Sequence, residues 1–239
     1  MGKINAYINR IITELNVKAV MPIINLPYYC GVVPADGGVT SFCLLDNGHF
    51  TLHSFPFYGA CYIDMMFSNI DGEKAKAAVK DIFAPEKTDM WLFDRDCEKC
   101  NADYSPKTDF GPHVLVKAAA EKDYSMGDIY TILESLPEKL GMHAITRPTV
   151  VTNRIKDYTV ISGIIIIAES HISFHYDLSN KTVYFDMYSC KFCDEAALKG
   201  AVDEIFTSYD YQLISRGKKL SSAIKPVFTL SENKWRDNI

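Results

Sequence analysis

The segment that decides the fold of this chain reads Ile164-Ile165-Ile166-Ile167-Ala168-Glu169-Ser170-His171-Ile172-Ser173-Phe174-His175. Its run of isoleucines is typical of a strand that is buried on both faces. From residue 171 polar and apolar residues alternate, and this period of two predicts a second strand with the histidines on one face. An acid, a serine and a histidine are unexpected at the end of a buried strand, so this junction is the candidate functional site.

The composition bounds the class of protein. The chain has 239 residues, 48% of them hydrophobic, which is enough for one large or two small domains with an ordinary core. A net charge of −5 argues against nucleic acid as the main partner. No segment approaches the roughly 18 apolar residues of a membrane span, and the first residues lack the apolar core of a signal peptide. We therefore expect a soluble cytoplasmic protein without a nucleic-acid or membrane partner.

The cysteines suit a reducing compartment. There are seven, an odd number and unevenly placed, which does not fit a disulfide framework. Two Cys-x-x-Cys pairs, Cys97–Cys100 and Cys190–Cys193, could together bind zinc, or one could act as a redox pair, but they lie much farther apart than the pairs of a zinc ribbon. The pair His171 and His175 lacks the helix and the intervening glutamate of a metalloprotease motif. We expect no metal.

An internal repeat organises the chain. Shifting the sequence by 122 residues, the separation of His49 and His171, aligns the two halves without a gap around the histidines. The matching positions are His49, Thr51 and His53 with His171, Ser173 and His175, and Tyr62–Met65 with Tyr184–Met187. The shared histidine spacing and the shared Tyr-x-Asp-Met favour duplication over chance similarity between alternating strands. We expect one domain at residues 1–109, including a polar linker, and a second at residues 110–239.

Periodicity and turn residues locate the elements of each repeat. Helices are predicted at Ile4–Leu15, Met126–Leu140 and Ala196–Ser208, and Pro137 should kink or end the second of them. Strands of the second half are predicted at Ile145–Asn153, Thr159–Glu169, His171–Asp177 and Thr182–Tyr188. An extra strand, Phe110–Val116, opens the second repeat, and the C-terminal Lys225–Leu230 could supply its counterpart for the first.

This order of elements predicts an α+β fold. Antiparallel sheets packed face to face with helices outside would form a four-layer α/β/β/α sandwich with pseudo-twofold symmetry. The two repeats would then pack as a pseudo-dimer, and a further copy of the chain could associate. The alternative is a pair of separate two-layer domains on a flexible linker.

The second half resembles a known family. Ser162-Gly163, an aliphatic strand, Glu169-Ser170-His171, then His175 and Cys190 stand at the spacing found in the pyruvoyl-dependent, self-cleaving S-adenosylmethionine decarboxylases. The small bacterial and archaeal members pair as dimers, so the whole chain is similar to a fused dimer.

The resemblance implies a role for each of these residues. Ser170 would attack the carbonyl of Glu169, and Ser162 would stabilise the oxyanion. His175 would assist the β-elimination that leaves a pyruvoyl group derived from Ser170, the only cofactor expected. Cys190 would return a proton to the α carbon of the small-molecule substrate. Independently of the resemblance, pairing the strands His171–Asp177 and Thr182–Tyr188 as a hairpin around residues 177–181 could bring His175 and Cys190 towards one site.

The first half departs from this pattern. Gly48 replaces the reactive serine and Ser68 replaces the cysteine, so this repeat cannot make a cofactor. His53-Ser54-Phe55-Pro56 is nevertheless similar to the His-Thr-Trp-Pro run of the family. We expect His53 and Phe55 to line the substrate pocket together with Tyr158 and Asp177, although the first repeat could instead be a purely structural partner.

The resemblance leaves the substrate open. S-adenosylmethionine, decarboxylated for polyamine (spermidine) synthesis, is favoured by the motif core. Asp157, Asp177 and Asp186 could instead favour a cationic amino acid, arginine or ornithine, with the same pyruvoyl chemistry. A third reading is a non-catalytic regulatory paralogue that does not cleave itself.

Overall fold

The computed structural model describes residues 2–28, 37–93, 95, 103–155, 158–168, 170–190 and 194–219. In this part of the chain four helices accompany two antiparallel sheets, so the predicted α+β class is confirmed. The elements are α1 Gly2–Glu14, β1 Ile24–Tyr28, β2 Gly38–Leu45, β3 Gly48–Phe55, β4 Ala60–Met66, α2 Gly72–Phe83, β5 Pro112–Ala119, α3 Met126–Lys139, β6 Thr149–Ile155, β7 Tyr158–Ile167, β8 Ser170–Asp177, β9 Thr182–Tyr188, α4 Glu195–Asp203 and β10 Tyr209–Ser215.

The two sheets share a common unit. The first has the order β1-β2-β3-β4, and the second has the order β10-β5-β9-β8-β7-β6. Strands β1–β4 thus correspond to β6–β9, and each set lies between two helices in the sequence, α1 and α2 or α3 and α4. The second sheet is wider because β5 and β10 extend it beyond β9.

The isoleucine run in β7 is apolar throughout because both of its faces are buried. Ile165 and Ile167 pack in a core with helices α3 and α4, whereas Ile164 and Ile166 pack against Phe42 and Leu44 of β2. Gly163 shows how closely α3 approaches this strand, since a Cβ there would lie 2.7 Å from side-chain atoms of Ile129 and Leu133. A strand enclosed in this way has no polar face, as its sequence predicts.

The following strand, β8, separates two environments. Ile172, Phe174 and Tyr176 lie in the core that α3 and α4 cover. His171 and His175 are also fully buried, but they face the first sheet, where they contact the histidines of β3. The two sheets therefore meet through an apolar region between β2 and β7 and a polar region between β3 and β8.

Several predicted boundaries needed correction. Helix α4 ends at Asp203 rather than Ser208 because the backbone tightens at Ile205 and the side chain of Phe206 turns into the core. Strand β10 was not predicted at all. Helix α3 continues past Pro137 to Lys139, and the strand predicted from Ile145 begins at Thr149. The predicted strand Lys225–Leu230 lies outside the described residues.

Within the part of the chain that the structure describes, no helix has the length and apolar character needed to span a membrane.

Candidate active site

Ser170 begins strand β8 and is buried, with 1% of its surface exposed. Its Oγ accepts two hydrogen bonds, one from the backbone N–H of Cys190 at 2.9 Å and one from Nη1 of Arg216 at 3.1 Å. The thiol of Cys190 donates to the carbonyl oxygen of Ala168 at 3.4 Å. The structure therefore brings the predicted serine and cysteine together, and the segment before the serine is in contact with the thiol. Glu169 itself lies outside the described residues.

A glycine allows this close approach. At Gly111, just before β5, a Cβ would lie 2.0 Å from the carbonyl oxygen of Ser189 and 3.0 Å from Cα of Cys190. The backbone N–H of Ser189 also donates to the carbonyl of Pro112 at 3.0 Å. Any larger residue at position 111 would push the backbone at Cys190 away from Ser170.

Arg216 lies in a cluster of aromatic rings. Its guanidinium carbon is 4.2 Å from the ring centre of Tyr188, 5.0 Å from that of Tyr62 and 5.2 Å from that of Phe110. Phe55, which is fully buried, packs edge-on against Tyr62 and Phe110. Residues of both repeats thus surround the guanidinium. Burial raises the pKa of Tyr188 to about 12, so its hydroxyl is neutral at physiological pH.

Four histidines and Asp64 form a buried network between the sheets, which we call the histidine network. His49 Nδ1 lies 2.8 Å from His175 Nε2, and His171 Nδ1 lies 3.1 Å from His53 Nε2. The pairs use the same atoms in the same sense, as expected of two equivalent repeats. The outer ends match too, with His175 bonded to Ser162 Oγ at 2.9 Å and His53 bonded to Thr40 Oγ1 at 3.0 Å.

Asp64 lies at the centre of this network. His49 Nε2 is 2.9 Å and His171 Nε2 is 3.2 Å from Oδ2 of Asp64. A consistent assignment has each hydroxyl donating to its histidine and that histidine donating to its partner, with His49 donating in turn to the carboxylate. Two parallel chains of imidazoles would then lead to one aspartate.

The electrostatics agree with this assignment. Burial lowers the pKa of His171 to about 4 and that of His175 to about 3, and burial together with the nearby Arg216 holds the pKa of His53 well below its usual value. Burial also opposes the ionisation of Asp64, but His113, His171 and His49 outweigh it and hold the pKa of that carboxyl well below its usual range. At neutral pH His53, His171 and His175 are therefore neutral, and the carboxyl of Asp64 is ionised.

Asp186 occupies the position equivalent to Asp64 but is bonded differently. It pairs with the guanidinium of Arg95, accepts a hydrogen bond from Ser173 Oγ at 3.3 Å, and lies 3.5 Å from His113 Nε2. Burial would raise the pKa of Asp186, but the charge of Arg95 and the contact with His113 lower it well below its usual range. Arg95 belongs to the linker between the repeats, so the linker neutralises this second aspartate.

Among the residues that the structure describes, one set of side chains has ligand atoms close enough together to hold a metal ion. The ligand atoms of His49, Asp64 and His171 all lie within 4.8 Å of one another. The hydrogen bond between His49 and Asp64 already accounts for the shortest of these distances. Three of the four cysteines considered for zinc, Cys97, Cys100 and Cys193, lie outside the described residues. The expectation of no metal remains a prediction.

Two predicted residues are close to each other but far from Ser170. Ser162 pairs with His175 across β7 and β8, whereas Ser170 pairs with Ile167. His175 is thus five positions along the strand from Ser170, or about 16 Å at the usual rise. The expectation that the hairpin brings His175 and Cys190 together was wrong, because His175 pairs with Tyr184 while Cys190 follows Tyr188, the partner of His171.

A histidine of the first repeat contacts the residue that follows Ser170. His53 contacts His171, the residue after Ser170, and its ring stacks with that of Tyr188 at 6.0 Å. Thr40, the partner of His53 across β2 and β3, stands where Ser162 stands in the second repeat. His53 was predicted as a pocket residue, and it lies on the Ser170 side of the network.

Tyr158 and Asp177 lie at the opposite end of the second sheet. Asp177 ends β8, seven positions or about 23 Å from Ser170, and its carboxylate accepts a hydrogen bond from the backbone of Ser179 at 2.8 Å. Tyr158 begins β7 at the same end. The structure does not bring these two predicted substrate-binding residues to Ser170.

The first repeat has no room for a reactive serine. A Cβ at Gly48 would lie 1.8 Å from the carbonyl oxygen of Met66, so no side chain fits there without a change of the backbone. Ser68 is the counterpart of Cys190. Its backbone N–H donates to Asn47 Oδ1 at 3.3 Å, whereas the backbone N–H of Cys190 donates to Ser170 Oγ.

Sequence reasoning missed Arg216, which belongs to no motif and follows the strand that was not predicted. It also missed the roles of Asp64 and Asp186, although the repeat alignment places these two residues at equivalent positions. That equivalence was the available signal that the two aspartates have corresponding places in β4 and β9.

Comparison with known proteins agrees with the two-repeat organisation. The model of a family described as S-adenosylmethionine decarboxylase matches residues 3–96 and residues 113–217, one segment in each repeat. No curated protein matches the sequence.

Proposed function

The chain belongs to the S-adenosylmethionine decarboxylase family, a family of pyruvoyl-dependent decarboxylases, and from this premise we propose that it cleaves itself between Glu169 and Ser170 to form an active decarboxylase. The observation that carries the proposal is the environment of Ser170, a buried hydroxyl with two N–H donors on Oγ and Cys190 beside it. A serine in an ordinary strand has no need of such a setting.

The cleavage requires only the chain and one water molecule. Ser170 Oγ attacks the carbonyl carbon of Glu169, the C–N bond breaks, and the proton of the hydroxyl passes to the nitrogen, which converts the amide to an ester. Removal of the Cα proton of residue 170 then expels the carboxylate of fragment 1–169 and leaves dehydroalanine. Tautomerisation and hydrolysis release ammonia and leave a pyruvoyl group on fragment 170–239.

We assign the histidine of this centre to the first repeat. His53 reaches the Ser170 end of β8 through His171 and Tyr188, whereas His175 is five residues away along the strand. Burial and the nearby Arg216 hold the pKa of His53 well below its usual value, so the His53 imidazole is neutral and able to accept a proton. In this proposal the hydrogen bond from Thr40 orients the ring of His53. Ser162 and His175 form the equivalent pair, which contacts His49 of the first repeat.

S-adenosylmethionine is the proposed substrate, decarboxylated for polyamine synthesis. The pyruvoyl group, once formed at residue 170, would supply the electrophilic carbonyl that holds the substrate amine and withdraws electrons as carbon dioxide leaves. Cys190, adjacent to residue 170, would then protonate the α carbon. The case for arginine or ornithine is weaker, because Asp186 is paired with Arg95 and Asp177 lies far from Ser170.

We also propose that the two repeats act as a pseudo-dimer in one cytoplasmic chain, divided at residues 109 and 110. The contacts between His49 and His175 and between His53 and His171 support this pairing. Arg95 supports a linker that is folded onto the second repeat, since its guanidinium also donates to the carbonyls of Val116 and Phe185 at 3.1 and 3.2 Å.

Self-cleavage gives the decisive experiment. Denaturing gels and intact mass of the purified chain should show fragments 1–169 and 170–239, with the second fragment resistant to Edman sequencing, and Ser170→Ala should remain whole. Borohydride with S-adenosylmethionine should attach the amine to fragment 170–239 only. A wild-type chain that stays whole under all conditions would favour the regulatory paralogue, and trapping with arginine or ornithine alone would change the substrate.

A further inference from the structure

Arg216 has no place in the sequence motif, yet its side chain contacts the serine at the proposed cleavage site. Its Nη1 donates to Ser170 Oγ at 3.1 Å, and the residue is 3% exposed. An arginine so deeply buried loses most of its hydration, so its position beside a hydroxyl calls for an explanation.

The backbone fixes this position. Arg216 follows β10, and its N–H donates to the carbonyl of Gly111 at 2.9 Å, while the N–H of Phe110 donates to the carbonyl of Gly217 at 2.7 Å. The β5–β10 pairing thus continues to the segment that also holds the backbone of Cys190. The rings of Tyr62, Phe110 and Tyr188 then hold the guanidinium on its faces, where cations interact favourably with aromatic rings.

We infer that Arg216 is a catalytic residue of self-cleavage, which stabilises the negative charge that Ser170 Oγ carries during the reaction. This inference rests on the proposed self-cleavage. In the first step Oγ gives up its proton as the Oγ–C bond to Glu169 forms and the C–N bond breaks, with the proton transferred to the nitrogen. A guanidinium keeps its charge at any physiological pH, so it stabilises Oγ as this atom gives up its proton, without itself taking part in the proton transfer. Once the Oγ–C bond has formed, the negative charge of the tetrahedral intermediate lies on the former carbonyl oxygen of Glu169.

The same oxygen becomes charged again in the second step. Loss of the Cα proton breaks the bond between Cβ of residue 170 and Oγ, and Oγ departs as one oxygen of the new carboxylate of fragment 1–169. Hydrogen bonds from a guanidinium to a carboxylate are among the strongest in proteins. One donor group, set 3.1 Å from Oγ before the reaction, therefore serves both steps. The backbone N–H of Cys190 at 2.9 Å is the second donor.

The test follows cleavage of newly made full-length chain. The wild type, Arg216→Ala, Arg216→Lys and Ser170→Ala would be labelled in cell-free translation and sampled over time on denaturing gels. Arg147→Ala, which changes an exposed arginine, is the control. Removing a preorganised donor to an oxyanion typically slows a reaction by about 10²–10³-fold, and we expect this loss for Arg216→Ala. Arg216→Lys should lose less, and added guanidinium at millimolar concentration should restore part of the rate to Arg216→Ala but none to Ser170→Ala.

The outcomes separate the two claims. A wild-type chain that never cleaves would overturn the proposed function itself. Cleavage of Arg216→Ala at the wild-type rate, with the wild type cleaving, would overturn only the role of Arg216. Slow cleavage of both arginine variants with no rescue by guanidinium and a common loss of thermal stability would likewise reduce Arg216 to a structural residue.

Discussion

Acid should unfold this protein through its buried histidines. Burial lowers the pKa of His171 from 6.5 to about 4 and that of His175 from 6.5 to about 3. As the pH falls below 6.5 these imidazoles bind protons in the unfolded chain but not in the folded one. The stability that is fully present above pH 7 is therefore lost progressively, down to about pH 4 for His171 and about pH 3 for His175. Between pH 7 and pH 5 each residue should cost about 2 kcal/mol, and the two together about 4 kcal/mol. His53, whose pKa is also lowered, adds to this loss.

Such a loss is a large share of a typical stability of about 5–15 kcal/mol. The measurement is urea denaturation at half-unit steps from pH 8 to pH 5, made on Ser170→Ala so that a single intact chain unfolds. In this background the free energy of unfolding should fall less steeply with pH in His175→Gln. Between pH 6 and pH 5 the slope should be smaller by about one proton, or roughly 1.4 kcal/mol per pH unit. Asn9→Gln, which changes an exposed side chain that does not titrate, should leave the slope unchanged. A total change below about 1 kcal/mol between pH 7 and pH 5 would refute the reasoning.

Three further predictions concern the chemistry and the inactive repeat. Cys190→Ala should still cleave itself but decarboxylate about 10²–10⁴-fold more slowly, since it lacks the proposed proton donor; full and lasting activity would remove that assignment. Gly48→Ser should gain no second cleavage and should lose about 1–3 kcal/mol of stability, because its side chain meets Met66 O. Gly200→Ser, where a Cβ meets nothing within 4 Å, is the control for its urea denaturation. Metal analysis of the purified protein should find no bound metal, and EDTA should leave activity unchanged; stoichiometric zinc or another metal would contradict this.

Local patterns in the sequence were sufficient for much of the fold. Alternation in residues 171–175 assigned His171 and His175 to one face of β8, and the structure has them on that face. The isoleucine run correctly predicted a strand buried on both sides. These inferences succeed because the side-chain period of a strand depends on the backbone alone.

The sequence pattern could not predict which residues of the motif lie near Ser170 and which lie farther along the strands. Ser162 and His175 belong to the same motif as Ser170, yet antiparallel pairing places them opposite each other, five positions along β8 from Ser170. Which histidine approaches Ser170 depends on how the two sheets face each other, and contacts of this kind leave no periodic signal. Arg216 was missed for a related reason, since its importance arises only when β10 pairs with β5.

The unequal bonding of Asp64 and Asp186 bears on why two copies of one domain were joined in a single chain. In a dimer of identical subunits every substitution appears twice, so the symmetry axis forces both aspartates into the same surroundings. A joined chain is free of this constraint, and here a linker arginine binds one aspartate while two histidines contact the other. Each copy can then accumulate changes that its twin could not tolerate, such as the glycine at position 48 of the first repeat where the second repeat has Ser170.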